Sequence, residues 1–134
     1  MRLAILLLGL LWITEPKAPL EKEAIYLDER MDVINDKKQA SYYSKIVEQR
    51  DELYIFHAFF INGELKMEGS YLDEKMQTAH GKFVFYYENG QIESKGQYRD
   101  GQKYGLWERF NRDGSAKAEK VYAHQGIVKS LSKD

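Results

Sequence analysis

An internal repeat constrains the fold of this chain more than any other feature of its sequence. Residues 83–98 align with residues 107–122 at a constant shift of 24 positions, and residues 56–71 align with residues 83–98 at a shift of 27. The three extra residues fall in LDEKMQTAH, where the next copy has the shorter RDGQKY. Repeat architectures tolerate insertions confined to loops, so we predict a stack of similar units. Equivalent positions form three aromatic series: Phe56, Phe83 and Trp107; Phe59, Tyr86 and Phe110; and Tyr71, Tyr98 and Tyr122.

Each copy carries an Asn-Gly or Asp-Gly pair between segments of alternating apolar and polar residues. Such a pair is the strongest short signal for a β-hairpin, because both residues accept the positive φ of a two-residue type I′ turn. The period of two that follows each pair is typical of a strand with one buried face. We therefore expect a type I′ hairpin in every copy. The three pairs are Asn62-Gly63, Asn89-Gly90 and Asp113-Gly114.

Further glycines mark the joints between copies. Asp100-Gly101 predicts another turn. Gly81 and Gly105 each precede the first aromatic residue of a copy, where a glycine allows a β-bulge or a close approach of two backbones. The sequence thus predicts an all-β fold, an antiparallel meander of tandem β-hairpin repeats of about 24 residues in a single sheet.

The chain divides into four segments. Residues 54–125 form the predicted repeat domain, and residues 126–134 form a C-terminal tail that has little to bury. Residues 19–53 are predicted to cap the sheet, because AIYLD and ASYYSKIV within them have the composition of strands. Residues 1–18 are set apart from the fold by their hydrophobicity.

The repeats resemble a known family. The stretch YYENGQIESKGQYRDGQKYGLWERF is similar to the bacterial MORN repeat variant, with its aromatic pair, Asn-Gly turn, Gly-x-Tyr strand and Gly-x-Trp opening of the next unit. The resemblance covers about residues 54–122, and the third copy departs from it with Lys120 where the family has glycine. It implies antitoxin-like repeat proteins or the N-terminal repeat segment of some energy-transducing envelope proteins as functional contexts.

The N-terminal residues predict export. Arg2 is followed by eleven apolar residues, LAILLLGLLWI, which is about half of what a transmembrane helix needs and suits the hydrophobic region of a secretory signal. We therefore expect a signal peptide at residues 1–18 and a periplasmic or cell-surface location. The alternative is a membrane anchor by an uncleaved N-terminal segment, since Pro19 directly follows the small residue Ala18 and is unfavourable beside a cleavage site.

Catalytic and metal-binding patterns are not evident in the sequence. The chain has no Cys, which excludes disulfides and a thiolate nucleophile. His57, His80 and His124 are too far apart for a short metal motif. With 20 basic and 21 acidic residues, the chain lacks the excess of positive charge typical of nucleic-acid binding. We therefore predict a protein that is not an enzyme and has no cofactor, no metal and no nucleic-acid partner.

The predicted function is that of a protein-interaction module in the cell envelope. Its partner is expected to be a protein or an extended polymer, since a one-layer meander encloses no deep cavity. Alternatives are an antitoxin-like partner of a toxin, or a peripheral membrane- or glycan-binding repeat protein. The candidate interaction surface is the insertion loop together with a tyrosine of the next turn: Leu72, Asp73, Glu74, Lys75, Met76, Gln77, Thr78 and Tyr104.

Overall fold

The computed structural model describes residues 22–123 and the backbone of residues 126–131. The predicted signal peptide at residues 1–18, like the alternative of an uncleaved anchor, lies outside the described residues. Within the described ranges, no helix has the length and apolar character needed to cross a membrane.

The described residues form β-strands joined by short turns, with a single 3₁₀ turn at Lys37–Gln39. This confirms the predicted all-β fold class. The strands are β1 (Ile25–Leu27), β2 (Val33–Ile34), β3 (Tyr42–Arg50), β4 (Leu53–Phe60), β5 (Leu65–Tyr71), β6 (Ala79–Tyr86), β7 (Ile92–Arg99), β8 (Gln102–Arg109), β9 (Glu119–Ala123) and β10 (Gly126–Leu131).

The strands make one antiparallel sheet in the order β10-β9-β8-β7-β6-β5-β4-β3-β1-β2. From β3 to β10 each strand pairs with its successor in the chain, which confirms the meander. β1 and β2 continue the sheet beyond β3, with β1 between β3 and β2. Residues 126–131, assigned to a tail from the sequence, instead form a tenth strand paired with β9.

The Asn-Gly turns differ from the predicted type. Gly63 has a φ of 95°, whereas the Asn62 that precedes it has no positive φ. The backbone N–H of Gly63 donates to the carbonyl of Phe60 at 2.9 Å, and that of Phe60 donates to the carbonyl of Glu64 at 2.8 Å. These bonds define a three-residue loop, a type I turn followed by a glycine bulge. Equivalent bonds occur in the Gly90 and Gly114 loops, so the type I′ prediction is wrong in all three copies.

The side chain of the Asn or Asp explains the three-residue loop. The Oδ1 of Asn62 accepts the N–H of Glu64 at 3.1 Å, and Asn89 and Asp113 accept in the same way from Gln91 and Ser115. This local bond holds the Asn or Asp outside the left-handed region and leaves the positive φ to the glycine. The two-residue type I′ geometry occurs instead at Asp100-Gly101, with φ values of 49° and 82°.

The first and third aromatic series merge into one continuous row. Rings from consecutive strands alternate and meet edge to face, with centroids 4.7 Å apart for Phe83 and Tyr98 and 5.3 Å apart for Tyr98 and Trp107. Phe56, Phe83 and Trp107 are no more than 2% exposed. We call the row the aromatic ribbon and the side of the sheet that carries it the ribbon face. Its members are Phe56, Tyr71, Phe83, Tyr98, Trp107 and Tyr122.

Two glycines give the ribbon its space. A Cβ on Gly69 would lie closer than 3.0 Å to the ring of Phe83, and a Cβ on Gly96 would lie equally close to the ring of Trp107. Each of these rings therefore lies over the glycine of the preceding strand. The residue 24 positions after Trp107 is Leu131 rather than an aromatic residue, so no ring of this series requires a glycine at Lys120.

The joint glycines behave as predicted. Gly81 and Gly105 have φ values of 98° and 68°. Both lie where the pairing register shifts, between β5 and β6 and between β7 and β8. A Cβ on Gly81 would also clash with the hydroxyl of Ser70, which donates to the carbonyl of His80. The prediction of a bulge or a close approach is thus confirmed, by the register shift at both positions and by the contact with Ser70 at Gly81 alone.

Candidate interaction surfaces

The sheet presents a second face, the polar face, opposite the aromatic ribbon. Cross-strand pairing aligns a row of side chains along it, including the neighbours His57 and Glu68 and the neighbours Lys95 and Glu108. His57 Nε2 lies 3.7 Å from Glu68 Oε2, and Lys95 Nζ lies 3.2 Å from Glu108 Oε2. Lys95 and Glu108 compensate each other's charge, and His57 lies beside the carboxylate of Glu68.

The second aromatic series lies on the polar face rather than in the ribbon. Phe59 stacks on Tyr43 with centroids 5.2 Å apart. The hydroxyl of Tyr86 donates to Glu68 at 2.6 Å. Burial, and then the Glu68 hydrogen bond and charge, raise the pKa of Tyr86 to about 12. The Tyr86 phenol therefore remains protonated at neutral pH and acts as a donor rather than as a base.

The insertion loop is folded around Asp73 and Met76. The Asp73 carboxylate accepts backbone N–H groups from Lys75, Gln77 and Thr78 at 2.8–3.1 Å. Met76 adopts a φ of 58° and is 9% exposed within the core cluster. The loop thus contributes to packing, which the sequence did not predict, and Met76 offers little surface to a partner.

The remaining predicted interaction residues are more accessible. Glu74, Lys75 and Gln77 are exposed, and Leu72 is 40% exposed. The carboxylate of Glu74 forms an ion pair with Lys22 at 2.5 Å. The insertion loop therefore presents a mixed polar and apolar surface, and its role as an interaction surface stays a prediction.

Tyr104 lies in the strand that starts beside the insertion loop. The N–H of Gly101 donates to the carbonyl of Ala79 at 2.8 Å, which brings the β7–β8 turn next to the end of the loop. Tyr104 is 38% exposed, and the guanidinium of Arg99 lies 3.8 Å from the centroid of its ring. Since Tyr104 pairs with Gln97 on the polar face, its ring and the ribbon are on opposite sides of the sheet.

Histidines and carboxylates do not assemble into a metal site in the part of the chain that the structure describes. His80 Nδ1 lies 3.3 Å from the carboxylate of Asp100. His57 has Glu68 as its charged neighbour. His124 lies outside the described residues.

A cavity of about 250 Å³ opens on the ribbon face at its C-terminal end. Four basic side chains line it, and we call them the cationic cluster: Lys103, Arg109, Lys117 and Lys120. Trp107, Tyr87 and Tyr122 complete the wall with Ser94 and Glu93. This site was not predicted from the sequence; the one signal for it there is Lys120, which departs from the family pattern.

The cations of this cluster contact the end of the ribbon. Lys103 Nζ lies 4.4 Å from the centroid of the Trp107 ring and 5.6 Å from that of Tyr122. Lys117 Nζ donates to the hydroxyl of Tyr87 at 3.4 Å. Burial, followed by the charges of Lys120 and Arg109, lowers the pKa of Lys103. Lys103 is therefore held where its positive charge is disfavoured.

Comparison with known protein families gives a match over part of the chain. The family described as MORN repeat variant matches residues 79–100. These residues span β6, the Asn89-Gly90 turn and β7. This match supports the resemblance to MORN repeats, which are generally modules of protein or membrane interaction. No curated protein and no solved structure matches the chain in the corresponding comparisons.

Proposed function

We propose that the chain is an exported protein-interaction module of the cell envelope that binds a partner without transforming it. The observation that carries the proposal is the sheet itself: the repeat builds two extended, opposite faces in copy after copy and fills one of them with the aromatic ribbon. Such a surface suits an extended ligand, because contact along several strands is needed to bury enough area for stable association.

The chemistry of the described residues supports binding rather than catalysis. The phenol with the clearest acid–base environment on the polar face, Tyr86, keeps its proton well above neutral pH. Its partner Glu68 also lies near His57, and this group sits on the sheet surface. MORN repeats are typically non-catalytic modules, in agreement with this proposal.

Export is tested by fusing residues 1–18 to a reporter that is active only outside the cytoplasm. The apolar segment LAILLLGLLWI motivates the test. An active reporter is expected. A reporter that is stably made and silent would refute export, and an active but membrane-bound one would favour the uncleaved anchor.

Partner binding is tested by fractionating cells that produce the tagged full chain, crosslinking, and identifying what is attached. We expect a defined envelope protein in the exported fraction. Recovery of a toxin would assign the antitoxin-like role, and recovery of lipid or glycan alone would assign the peripheral role. Absence of any specific product from the folded chain would refute the interaction module.

A further inference from the structure

We propose that the cationic cluster binds an extended acidic segment of a partner protein, with at least two carboxylates entering the cavity between β7, β8 and β9. The inference rests on the proposed function and names the chemistry of the partner. Three independent features carry it: the positions that the cations occupy in the repeat, their charge balance, and the shape of the cavity.

The cations occupy positions whose equivalents in the preceding copy belong to the core or make room for it. Ala79 and Phe85 pack against the core, and Gly96 makes room for the Trp107 ring. A shift of 24 residues relates these positions to the cluster: Ala79 to Lys103, Phe85 to Arg109, and Gly96 to Lys120. In the third copy, three core positions on one face are thus replaced by basic residues that line a single cavity. Closing the end of a sheet requires polar residues, but it does not require several of the same charge around one cavity.

Among the described side chains that line the cavity, only Glu93 carries a negative charge, and it compensates the cluster in part. None of its four cations forms an ion pair with a carboxylate of residues 22–123. The one acidic residue of the wall, Glu93, is paired with Lys66 at 2.5 Å. All four cations are half-buried, so water screens their repulsion incompletely. Burial, and then the charges of Lys120 and Arg109, lower the pKa of Lys103 despite the opposing effect of Glu93, and a bound anion would favour the charged form.

The arrangement favours carboxylates spread along a chain over one compact anion. Lys103 Nζ lies over the Trp107 ring, and Arg109 is two positions beyond Trp107 on β8, which corresponds to about 7 Å along the strand. In an extended peptide, alternate side chains project from the same side about 7 Å apart, so two successive ones can each reach a cation of the cluster. Arg109 can bind a carboxylate through two parallel N–H bonds.

A membrane surface fits this site less well. The cations lie half-buried in a concavity rather than projecting from a convex or flat surface. The chain as a whole carries a formal net charge of −1, which gives little general attraction to anionic lipid. An acidic segment that enters the cavity meets the positive charge directly.

The test uses the folded chain from residue 19 onward and the full chain in parallel, with a fluorescent peptide of about eight residues in which Asp alternates with Ser. Binding is followed by fluorescence anisotropy at low and high salt. The same peptide with Asn in place of Asp, inorganic phosphate, and vesicles of anionic phospholipid are the comparison ligands. The paired substitution Arg109→Gln with Lys120→Gln removes two cations of the cluster. The paired substitution Lys45→Gln with Lys82→Gln removes the same charge from exposed positions on the polar face.

We expect the Asp peptide to bind and the Asn peptide not to bind. The cluster variant should lose affinity by about tenfold or more, and the polar-face variant by less than about twofold. If the double variant melts at a lower temperature than wild type, peptide affinity is measured with Lys117→Gln instead. This substitution removes one cation outside the β8–β9 pairing. Binding should also raise the pKa of Lys103, measured by NMR of the lysine side chain.

Four outcomes would overturn the inference: no binding of the Asp peptide, equal losses in both paired variants, equal binding of the Asn peptide, or binding of phosphate or vesicles in preference to the peptide. If crosslinking in cells finds a partner while the Asp peptide fails, the proposed function stands and this assignment of its chemistry falls. If the peptide binds at the cluster while cells yield no partner, the site stands and the proposed function falls.

Discussion

At the scale of single residues, glycine is required at different positions of this protein for two different reasons. Gly96 has no positive φ and lies under the Trp107 ring. Glycine is required there because the ring leaves no space for a Cβ. Gly90 has a φ of 82° with no atom within 4 Å of a Cβ placed on it, so it is required for its backbone conformation. The two cases predict different responses to the same substitution.

We predict that Gly96→Ala destabilises the protein by about 1–3 kcal/mol, because the added methyl overlaps the indole. In a Trp107→Leu background the smaller side chain leaves room, so the additional cost of Gly96→Ala should be much smaller. Gly90→Ala is the matched control: it should cost about 1 kcal/mol in either background, from positive φ alone. Denaturant unfolding measures all of these differences. Equal costs of Gly96→Ala in both backgrounds would contradict the ribbon packing.

Asp113 makes the third turn sensitive to pH. Hydrogen bonds from the hydroxyl and the backbone N–H of Ser115 lower the pKa of Asp113 below its ordinary value of 3.8. A carboxylate with a lowered folded-state pKa contributes stability above the unfolded pKa and loses it as the pH falls through the folded pKa. The first two copies carry Asn at this position, and Asn62 and Asn89 accept the same backbone bond.

We therefore predict that Asp113→Asn retains the turn and removes part of the acid sensitivity. The difference in unfolding free energy between wild type and variant should be constant above about pH 5 and should shift in favour of the variant below pH 3.8. Urea unfolding across this range measures it. A difference that does not change with pH would contradict the role of the Ser115 bonds.

At the scale of elements, the insertion loop combines a packing role with an exposed surface. Met76 is buried with the core cluster, whereas Lys75 beside it is exposed. We predict that Met76→Ala costs about 1–3 kcal/mol in stability by removing buried apolar surface. Lys75→Ala should leave stability unchanged within about 0.5 kcal/mol. Thermal unfolding compares the two, and equal effects would show that the loop does not pack as described.

This division changes how the loop is tested as an interaction surface. Exchange of the whole loop for the shorter RDGQKY would remove Met76 and the Asp73 bonds together with the exposed residues. Substitution of Glu74, Lys75 and Gln77 alone leaves the packing in place. Loss of partner capture in that variant would support the predicted interaction surface, and unchanged capture would place the binding site elsewhere.

The elements also show which features the sequence can predict. The repeat period predicts strands, hairpins and stacked aromatic positions, because each depends on local alternation and on turn residues. The loop type at Asn62-Gly63 does not follow from that pair alone, since it depends on the Asn62 bond to Glu64 and on the extra residue in the turn. The burial of Met76 was likewise hidden, because an insertion carries no periodic signal.

At the scale of the whole molecule, the ribbon face changes along the copies from an apolar surface to a cationic one. Burial raises the pKa of Tyr71 and Tyr98, which lie inside the ribbon between the rings of neighbouring strands. Beyond Tyr98 the same face acquires Lys103, and its apolar surface gives way to the cationic cluster. The cluster could not be predicted from one copy, because it depends on side chains of β8, β9 and the segment between them converging on one cavity.

Under the proposal above, the partner is recognised on the ribbon face at the C-terminal end of the repeats. The most direct test replaces Tyr122, which lines the cavity, with the photo-crosslinking residue p-benzoylphenylalanine in the tagged full chain. The matched control carries the same replacement at Tyr43, which lies on the polar face against Phe59. On illumination of producing cells, we predict a specific crosslinked protein from position 122, reduced by excess Asp peptide, and none from position 43. A crosslinked partner from position 43 alone, or none from either folded variant, would contradict the account.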